Sequence, residues 1–233
     1  MAVASKCILG VEDSREKSSF NELGIDLCRY RSDEQLFIRQ QKDLAKYFMN
    51  APGPVVDLGC GRGTMLELLK SSGVTNYGVD TFSPAVEVCQ KKGLRITESD
   101  IFSHLAELND SSMGGIFCSH VIEHLHPPAA LRLIRESYRV LIRGGTLILV
   151  TPNPQNLLIL TEIFWLDLTH VRFYPARLLD GLLEEVGFTF VHCFEDKYTR
   201  YSRVPYRRIS GFLRRLWFWG LANRGDVVAV ARK

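Results

Sequence analysis

"VVDLGCGRG", residues 55–63, decides the fold. A short apolar run carries an acid, Asp57, and then glycines at every second position, Gly59, Gly61 and Gly63. The run reads as a strand buried on both faces. The glycines let the backbone turn sharply and let a ligand approach it with no β-carbon in the way. "TMLELLKSSG" (64–73) follows as a helix, whose first N–H groups have no partner within the helix. The spacing is G-x-G-x-G, with an acid before it, and differs from the G-x-G-x-x-G of nicotinamide-binding loops. An acid at Asp57 suits a cationic ligand, such as an amino group, better than a pyrophosphate.

Outward from this loop, strands alternate with helices. "NYGVD" (76–80), "LRITESD" (94–100), "MGGIFCSH" (113–120) and "GGTLILVTPN" (144–153) read as strands. "FTFVHCFED" (188–196) and "DVVAVARK" (226–233) read as the last two. "SPAVEVCQKKG" (83–93), "PPAALRLIRESYRVL" (127–141) and "PARLLDGLLEEVG" (175–187) read as helices, with proline in the first turn or glycine at the end. This order predicts an α/β fold: a Rossmann-like, mostly parallel seven-stranded sheet with helices on both faces. Such sheets bind ligands beyond the carboxyl ends of their strands, where strand order reverses. Two further acids stand at strand ends. Asp80 lies about 20 residues after the loop, where a ribose-binding carboxylate belongs, and Asp100 closes the third strand in "ESDIF".

"VVDLGCGRG", "GVD" and "SDI", followed by "RVLIRGGTLILVTPN", resemble the class I S-adenosylmethionine-dependent methyltransferases. The resemblance covers about residues 50–196 and the last strand, most of one domain. It implies that the glycine loop holds the methionine part of the cofactor, that Asp80 binds the ribose hydroxyls and that Asp100 binds the adenine amine. The candidate cofactor-binding residues are Asp57, Gly59, Cys60, Gly61, Asp80, Asp100, Ile101 and Ser119. Cys60 reads as a small packing residue rather than a nucleophile.

Three of the six histidines, His120, His124 and His126, fall in "SHVIEHLH" (119–126), which spells the H-x-x-E-H of a zinc peptidase family. That reading fails on context, because the motif needs a longer helix and a third ligand on another one. Here Pro127 and Pro128 follow at once, and the motif hangs from a strand of a nucleotide-binding sheet. "GIFCSHVIEHL", "TPNPQNL", "FWLDLTHVRFY" and "RSDEQLFIRQQ" are similar to methyltransferases of bacterial and archaeal glycan assembly, including the methyltransferase half of O-antigen chain-terminating enzymes. That group usually carries Glu-His at 123–124 and Asp-Pro-Thr-His at 167–170. Leu168 replaces the proline here, and His120 replaces a glutamine or another polar residue. Glu-His also resembles two metal-assisted groups, the ubiquinone-pathway O-methyltransferases and the small-RNA 3′-end 2′-O-methyltransferases. Both carry another glutamate where this chain has His120.

Methyl transfer to oxygen needs alignment of nucleophile and methyl group. It also needs a base near pH 7 or a divalent ion that lowers the hydroxyl's pKa. The candidate catalytic residues are His124 and His170, with Glu123 orienting one of them or joining a metal site. A divalent metal is an alternative to the base, and no metal ligand set is assigned. His120 and His126 are read as local structure. Asp167 pairs with His170 or caps a turn; Phe164 and Trp165 wall the substrate or lie under a lid.

Residues 1–50 read as an irregular arm and a lid helix, the latter opened by Ser32 with Gln35 as a capping box. Residues 51–233 read as the methyltransferase domain with a basic insertion at 197–224. The insertion holds eight basic residues and no acid, against a net charge of +3 for the whole chain, so the remainder is acidic. Ile209, Phe212, Leu213, Leu216 and Trp217 recur at helical spacing among its arginines. Such a helix packs on the domain or a second subunit, lies on an anionic membrane surface, or meets a polyanion. "YTRYSRVPYRR" keeps RNA among the possible acceptors. The six scattered cysteines form no C-x-x-C pair, and "MAVASKCILGVEDSREKSSF" has no long apolar run. Both features predict a reduced, cytoplasmic protein with peripheral membrane contact at most. The expected function is S-adenosylmethionine-dependent O-methylation of a sugar hydroxyl on a glycan or glycolipid. The alternatives are RNA 2′-hydroxyl or quinone-type phenol methylation, or a silent cofactor-binding scaffold.

Overall fold

The computed structural model describes residues 34–198 and 224–233. Within them seven strands form one sheet in the order β3-β2-β1-β4-β5-β7-β6. The strands are β1 (Val55–Leu58), β2 (Asn76–Asp80), β3 (Ile96–Glu98), β4 (Met113–Ser119), β5 (Leu141–Thr151), β6 (Phe190–Glu195) and β7 (Val227–Arg232). β1 to β5 pair in parallel, and β7 runs antiparallel between β5 and β6. Strand order reverses between β1 and β4, so the loops after these two strands flank one crevice. The glycine loop and "SHVIEHLH" are those two loops.

The helices are α1 (Glu34–Ala45), α2 (Thr64–Ser71), α3 (Ser83–Lys91), α4 (Ile101–Glu107), α5 (Pro127–Val140), α6 (Leu157–Thr161) and α7 (Ala176–Val186). Side chains alternate along a strand, so each central strand feeds two cores. Leu147 and Leu149 of β5 join Leu133, Ile134, Leu179 and Leu183 on the face covered by α5 and α7. Ile148 and Val150 join Leu44, Phe48, Met65 and Phe117 on the other. Strands buried on both faces must be apolar throughout, which is why β1 and β4 read as continuous runs.

Several boundaries differ from the sequence reading. α1 is more than a lid: Leu44, Ala45 and the following Phe48 lie in the core with Val55 and Phe117, so packing crosses the expected boundary at residue 50. α4, α6 and a single turn at Ile163–Leu166 were not expected as helices. β5 begins three residues early, at Leu141, with a register shift against β4 between Met113 and Gly115. The expected arm at 1–31, the Ser32 cap and the amphipathic stretch from Ile209 to Trp217 lie outside the described residues, as does all of 199–223. No described helix is long and apolar enough to cross a membrane.

Candidate active site

The three loop glycines all have left-handed backbone, with φ of 75°, 53° and 79° at Gly59, Gly61 and Gly63. A β-carbon on Gly59 would stand 2.6 Å from Val121 Cγ2, because the loop after β4 presses on the glycine loop. Asp80 shapes the same loop from β2. Its carboxylate accepts the Gly61 N–H at 2.8 Å and the Phe82 N–H at 2.9 Å. Burial pushes the Asp57 carboxyl well above the usual carboxylate range, and the neighbouring Asp80 charge adds to the shift. A cationic group bound between them would relieve that cost. Ser119, at the end of β4, has a buried hydroxyl with no hydrogen-bond partner among the described residues. A cradle of left-handed glycines, the buried Asp57 and an orphaned hydroxyl fit the amino acid part of S-adenosylmethionine, and Asp80 stands at the end of the neighbouring strand, β2.

The remaining cofactor candidates divide. Cys60 is nearly buried, with Sγ 3.9 Å from the Gly61 carbonyl. Its hydrogen bond with Cys89, then burial, holds its thiol well above the ordinary range, so it packs as a neutral thiol. Ile101 is wholly buried in the larger core, which gives it a packing role rather than an open ligand contact. Asp100 is the N-cap of α4: its Oδ1 accepts the N–H groups of Phe102 at 2.9 Å and Ser103 at 3.2 Å. The Asp100→Ala variant should therefore lose about 0.5–2 kcal/mol of stability, which chemical denaturation would read. Asp100→Asn should keep that stability while removing the charge expected to face adenine.

The second half of the site is stitched from distant segments. After β4 the chain makes a single 3-10 turn at Ile122–His124. The Glu123 carbonyl accepts the N–H groups of Val171 at 2.8 Å and Arg172 at 3.2 Å. The Tyr174 hydroxyl donates to the Leu125 carbonyl at 2.7 Å. These bonds carry the "DLTH" segment onto the "EH" segment. The His124 and His170 rings then lie 4.7 Å apart between centroids.

Hydrogen bonds fix both tautomers. His124 Nδ1 lies 3.2 Å from the Thr169 carbonyl, which can only accept, so this nitrogen carries the proton. Thr169 Oγ1 is 2.8 Å from the same nitrogen and donates its own hydrogen bond to Asp167 Oδ1 at 2.6 Å. His170 Nδ1 likewise donates to the Phe164 carbonyl at 2.6 Å. In the neutral form of an imidazole held this way, the lone pair is at Nε2. His124 Nε2 is buried and has no hydrogen-bond partner among the described residues. Burial pulls the His124 pKa below the usual histidine value; the Glu123 charge opposes this without cancelling it.

Glu123 is wholly buried. Its Oε1 lies 3.1 Å from His120 Nδ1, and its Oε2 accepts the Thr151 hydroxyl at 3.1 Å. Burial alone would raise its pKa, but the hydrogen bond and charge of His120 outweigh that and hold it down at about 2. His120, read from sequence as local structure, belongs to the same network: its Nε2 is 3.3 Å from Asp226 Oδ2. Burial would lower the His120 pKa, yet Asp226 and then Glu123 push it up to about 10. This partner could not be found in the sequence, because Asp226 stands just before β7, far along the chain. His126 only precedes α5, as its N-cap residue. Glu123, His124 and His170 each offer one ligand atom, all within 4.8 Å of one another, so they could hold a metal ion. A separate groove of about 850 Å³, lined by Gln40, Asp43, Phe194 and Arg232 among others, contains none of these candidates.

Phe164 is buried and stacks on Phe173 and His170, with centroids at 3.8 and 4.4 Å. It thus supports the His170 ring from behind. Trp165 points outward and is 57% exposed, so of the two aromatic residues only Trp165 offers an accessible surface.

Residues 30–193 match the family described as Methyltransferase domain. A 105-residue stretch is 28% identical to a ubiquinone biosynthesis O-methyltransferase of Paracidovorax citrulli, covering 42% of this chain and 43% of that one. A 111-residue stretch is 36% identical to a 2-ketoarginine methyltransferase of Streptomyces arginensis, covering 43% of this chain and 32% of that one. The chain thus spans less than half the length of these curated relatives. A crystal structure of an S-adenosylmethionine-dependent methyltransferase from Archaeoglobus fulgidus superposes with a TM-score of 0.74 at 25% identity, over 93% of this chain and 100% of that one.

Proposed function

The chain belongs to the methyltransferase domain family, and on that premise we propose that it moves a methyl group from S-adenosylmethionine to an oxygen of its acceptor. Bound in the glycine loop, the cofactor supplies an electrophilic sulfonium methyl. The chain's own residues must then hold the acceptor in line and take its proton. The observation that carries the reading is the His124–His170 pair, brought together by folding, with the Nδ1 of each ring on a backbone carbonyl and His124 Nε2 without a partner among the described residues. His124 is the base, kept neutral by burial, and His170 holds the acceptor hydroxyl or shares the proton. Thr169 and Asp167 fix the tautomer of His124 from behind. Glu123, an anion beside both rings, stabilises the imidazolium that forms when the base is protonated.

The preferred acceptor is a sugar hydroxyl of a glycan or glycolipid, supported by the sequence motifs around Glu123 and His170. A phenol acceptor is the second reading, favoured by the similarity to ubiquinone biosynthesis O-methyltransferases. One experiment separates them. The protein is given methyl-labelled cofactor and a cell extract, and the label is followed into glycan, lipid, quinone and RNA fractions. Label in the glycan or glycolipid fraction is expected; label in RNA or quinone alone overturns the sugar assignment. Cofactor binding with no label anywhere points to a silent scaffold.

Two further outcomes test the base. Because the His124 pKa is lowered, the acid limb of the rate profile should have its midpoint below the usual histidine value of about 6.5. The rate should be lost as pH falls through that point, where His124 takes a proton, and be steady above it. EDTA should leave transfer unchanged. Loss of activity with EDTA and recovery with a divalent ion would instead assign Glu123, His124 and His170 to a metal.

A further inference from the structure

His120 is one of two non-glycine residues with positive φ among those described, at 55°. A left-handed backbone on a histidine persists only where the surroundings hold it. Here they do so at three points. The His120 N–H donates to the Val150 carbonyl at 2.8 Å. Its Nδ1 reaches Glu123 Oε1 at 3.1 Å, and its Nε2 reaches Asp226 Oδ2 at 3.3 Å. Both carboxylates are wholly buried, and the Phe37 ring of α1 stands 6.3 Å from the imidazole, closing that side. The bend at residue 120 turns the ring back across the end of the sheet, so that it spans from the turn after β4 to the start of β7.

We propose that His120 is a positioning residue of the acceptor site, bridging Glu123 and Asp226 so that the Glu123 carboxylate is held beside the His124–His170 pair. The proposal rests on the reading of that pair as the methyl-acceptor site. The Nδ1 side of the ring lies within hydrogen-bond reach of Glu123, and the Nε2 side stands at ion-pair distance from Asp226. The Nδ1 arm aims Glu123, which Thr151 holds from the other side. The Nε2 arm anchors the ring itself to Asp226, at the entry to β7.

Three variants separate this role from a purely structural one. His120→Asn keeps a donor near the place of Nδ1 and tolerates the left-handed backbone. His120→Gln carries its donor toward Asp226 instead. His120→Gly relaxes the backbone and removes both arms. Each is assayed for cofactor affinity by calorimetry and for methyl transfer into the cell extract. Cofactor affinity should stay within about twofold in all three. Transfer should fall about 100-fold in His120→Gly and His120→Gln, in kcat rather than in the KM for cofactor, and about tenfold or less in His120→Asn. Transfer by His120→Gly within about threefold of the unmodified protein overturns the proposal, as does an equal loss in the Asn and Gln variants. If the Gly and Gln variants fail to bind cofactor because they do not fold, Asp226→Asn carries the test, since it leaves the backbone at His120 untouched: a loss of transfer of more than about threefold at unchanged cofactor affinity supports the bridge, and a smaller loss overturns it. Loss of transfer in His124→Ala and His170→Ala without loss in His120→Gly rejects this proposal alone. Full transfer in all of them rejects the site reading as well.

Discussion

His124→Ala should lower methyl transfer by about a hundred- to ten-thousand-fold, the range expected when a general base is removed. His170→Ala should lower it by about a hundredfold. Cofactor affinity should not change in either, because neither ring belongs to the glycine cradle. The measurement is incorporation of labelled methyl at saturating cofactor, with calorimetric cofactor binding as the control. The loss should appear in kcat, since the missing interaction is made as the acceptor's proton moves. Thr169→Val should show a weaker version of the same defect. It leaves the His124 ring in place but removes the hydroxyl that stands between Nδ1 and Asp167. Transfer at full rate in His124→Ala would end the assignment of a base at this position.

Gly59→Ala has the opposite signature. The backbone there has φ of 75°, which costs an ordinary residue about 1–2 kcal/mol. The added carbon would also stand 2.6 Å from Val121 Cγ2, so either the loop after β4 or the glycine loop must move. Both loops bound the cofactor crevice. Cofactor affinity should fall more than tenfold, corresponding to about 1.4 kcal/mol or more, and thermal stability should fall with it. Calorimetry and a thermal melt check the two effects together. Unchanged affinity would mean that the cradle does not touch the cofactor.

The glycine loop and the acids at strand ends were legible because each answers a requirement of a single chain segment. A left-handed turn needs glycine, and a strand end at a switch point is where a ligand lies. Asp100 shows the limit of that logic. The sequence reading took it as a ligand acid and overlooked the helix after it, although an aspartate followed by Ile101, Phe102, Leu105 and Leu108 has the form of a capped amphipathic turn. His124 and His170 could be ranked together from their motifs. Their tautomers could not, because these depend on the carbonyls of Thr169 and Phe164, placed by folding. His120 was set aside for the same reason: its second partner is 106 residues away, and only the sheet brings it close.

The hairpin between β6 and β7 is closed at its root. The Asp196 N–H donates to the Asp226 carbonyl at 2.9 Å, and the Asp226 N–H donates to Asp196 Oδ2 at 3.0 Å. The side chains of Asn153 and Asn156 hold the carbonyls of Gly225 and Arg224 at 3.0 and 2.7 Å. Among the described residues, the chain thus leaves the sheet and re-enters it through a knot of polar bonds. Doubling the length of an intervening segment costs only about 0.6 kcal/mol in loop closure. A root tied in this way is compatible with intervening segments of different length while the strands keep register. The same knot contains Asp226, which His120 meets from the side of Glu123. The register of β6 against β7 and the anchor of the His120 ring thus meet at the entry to one strand.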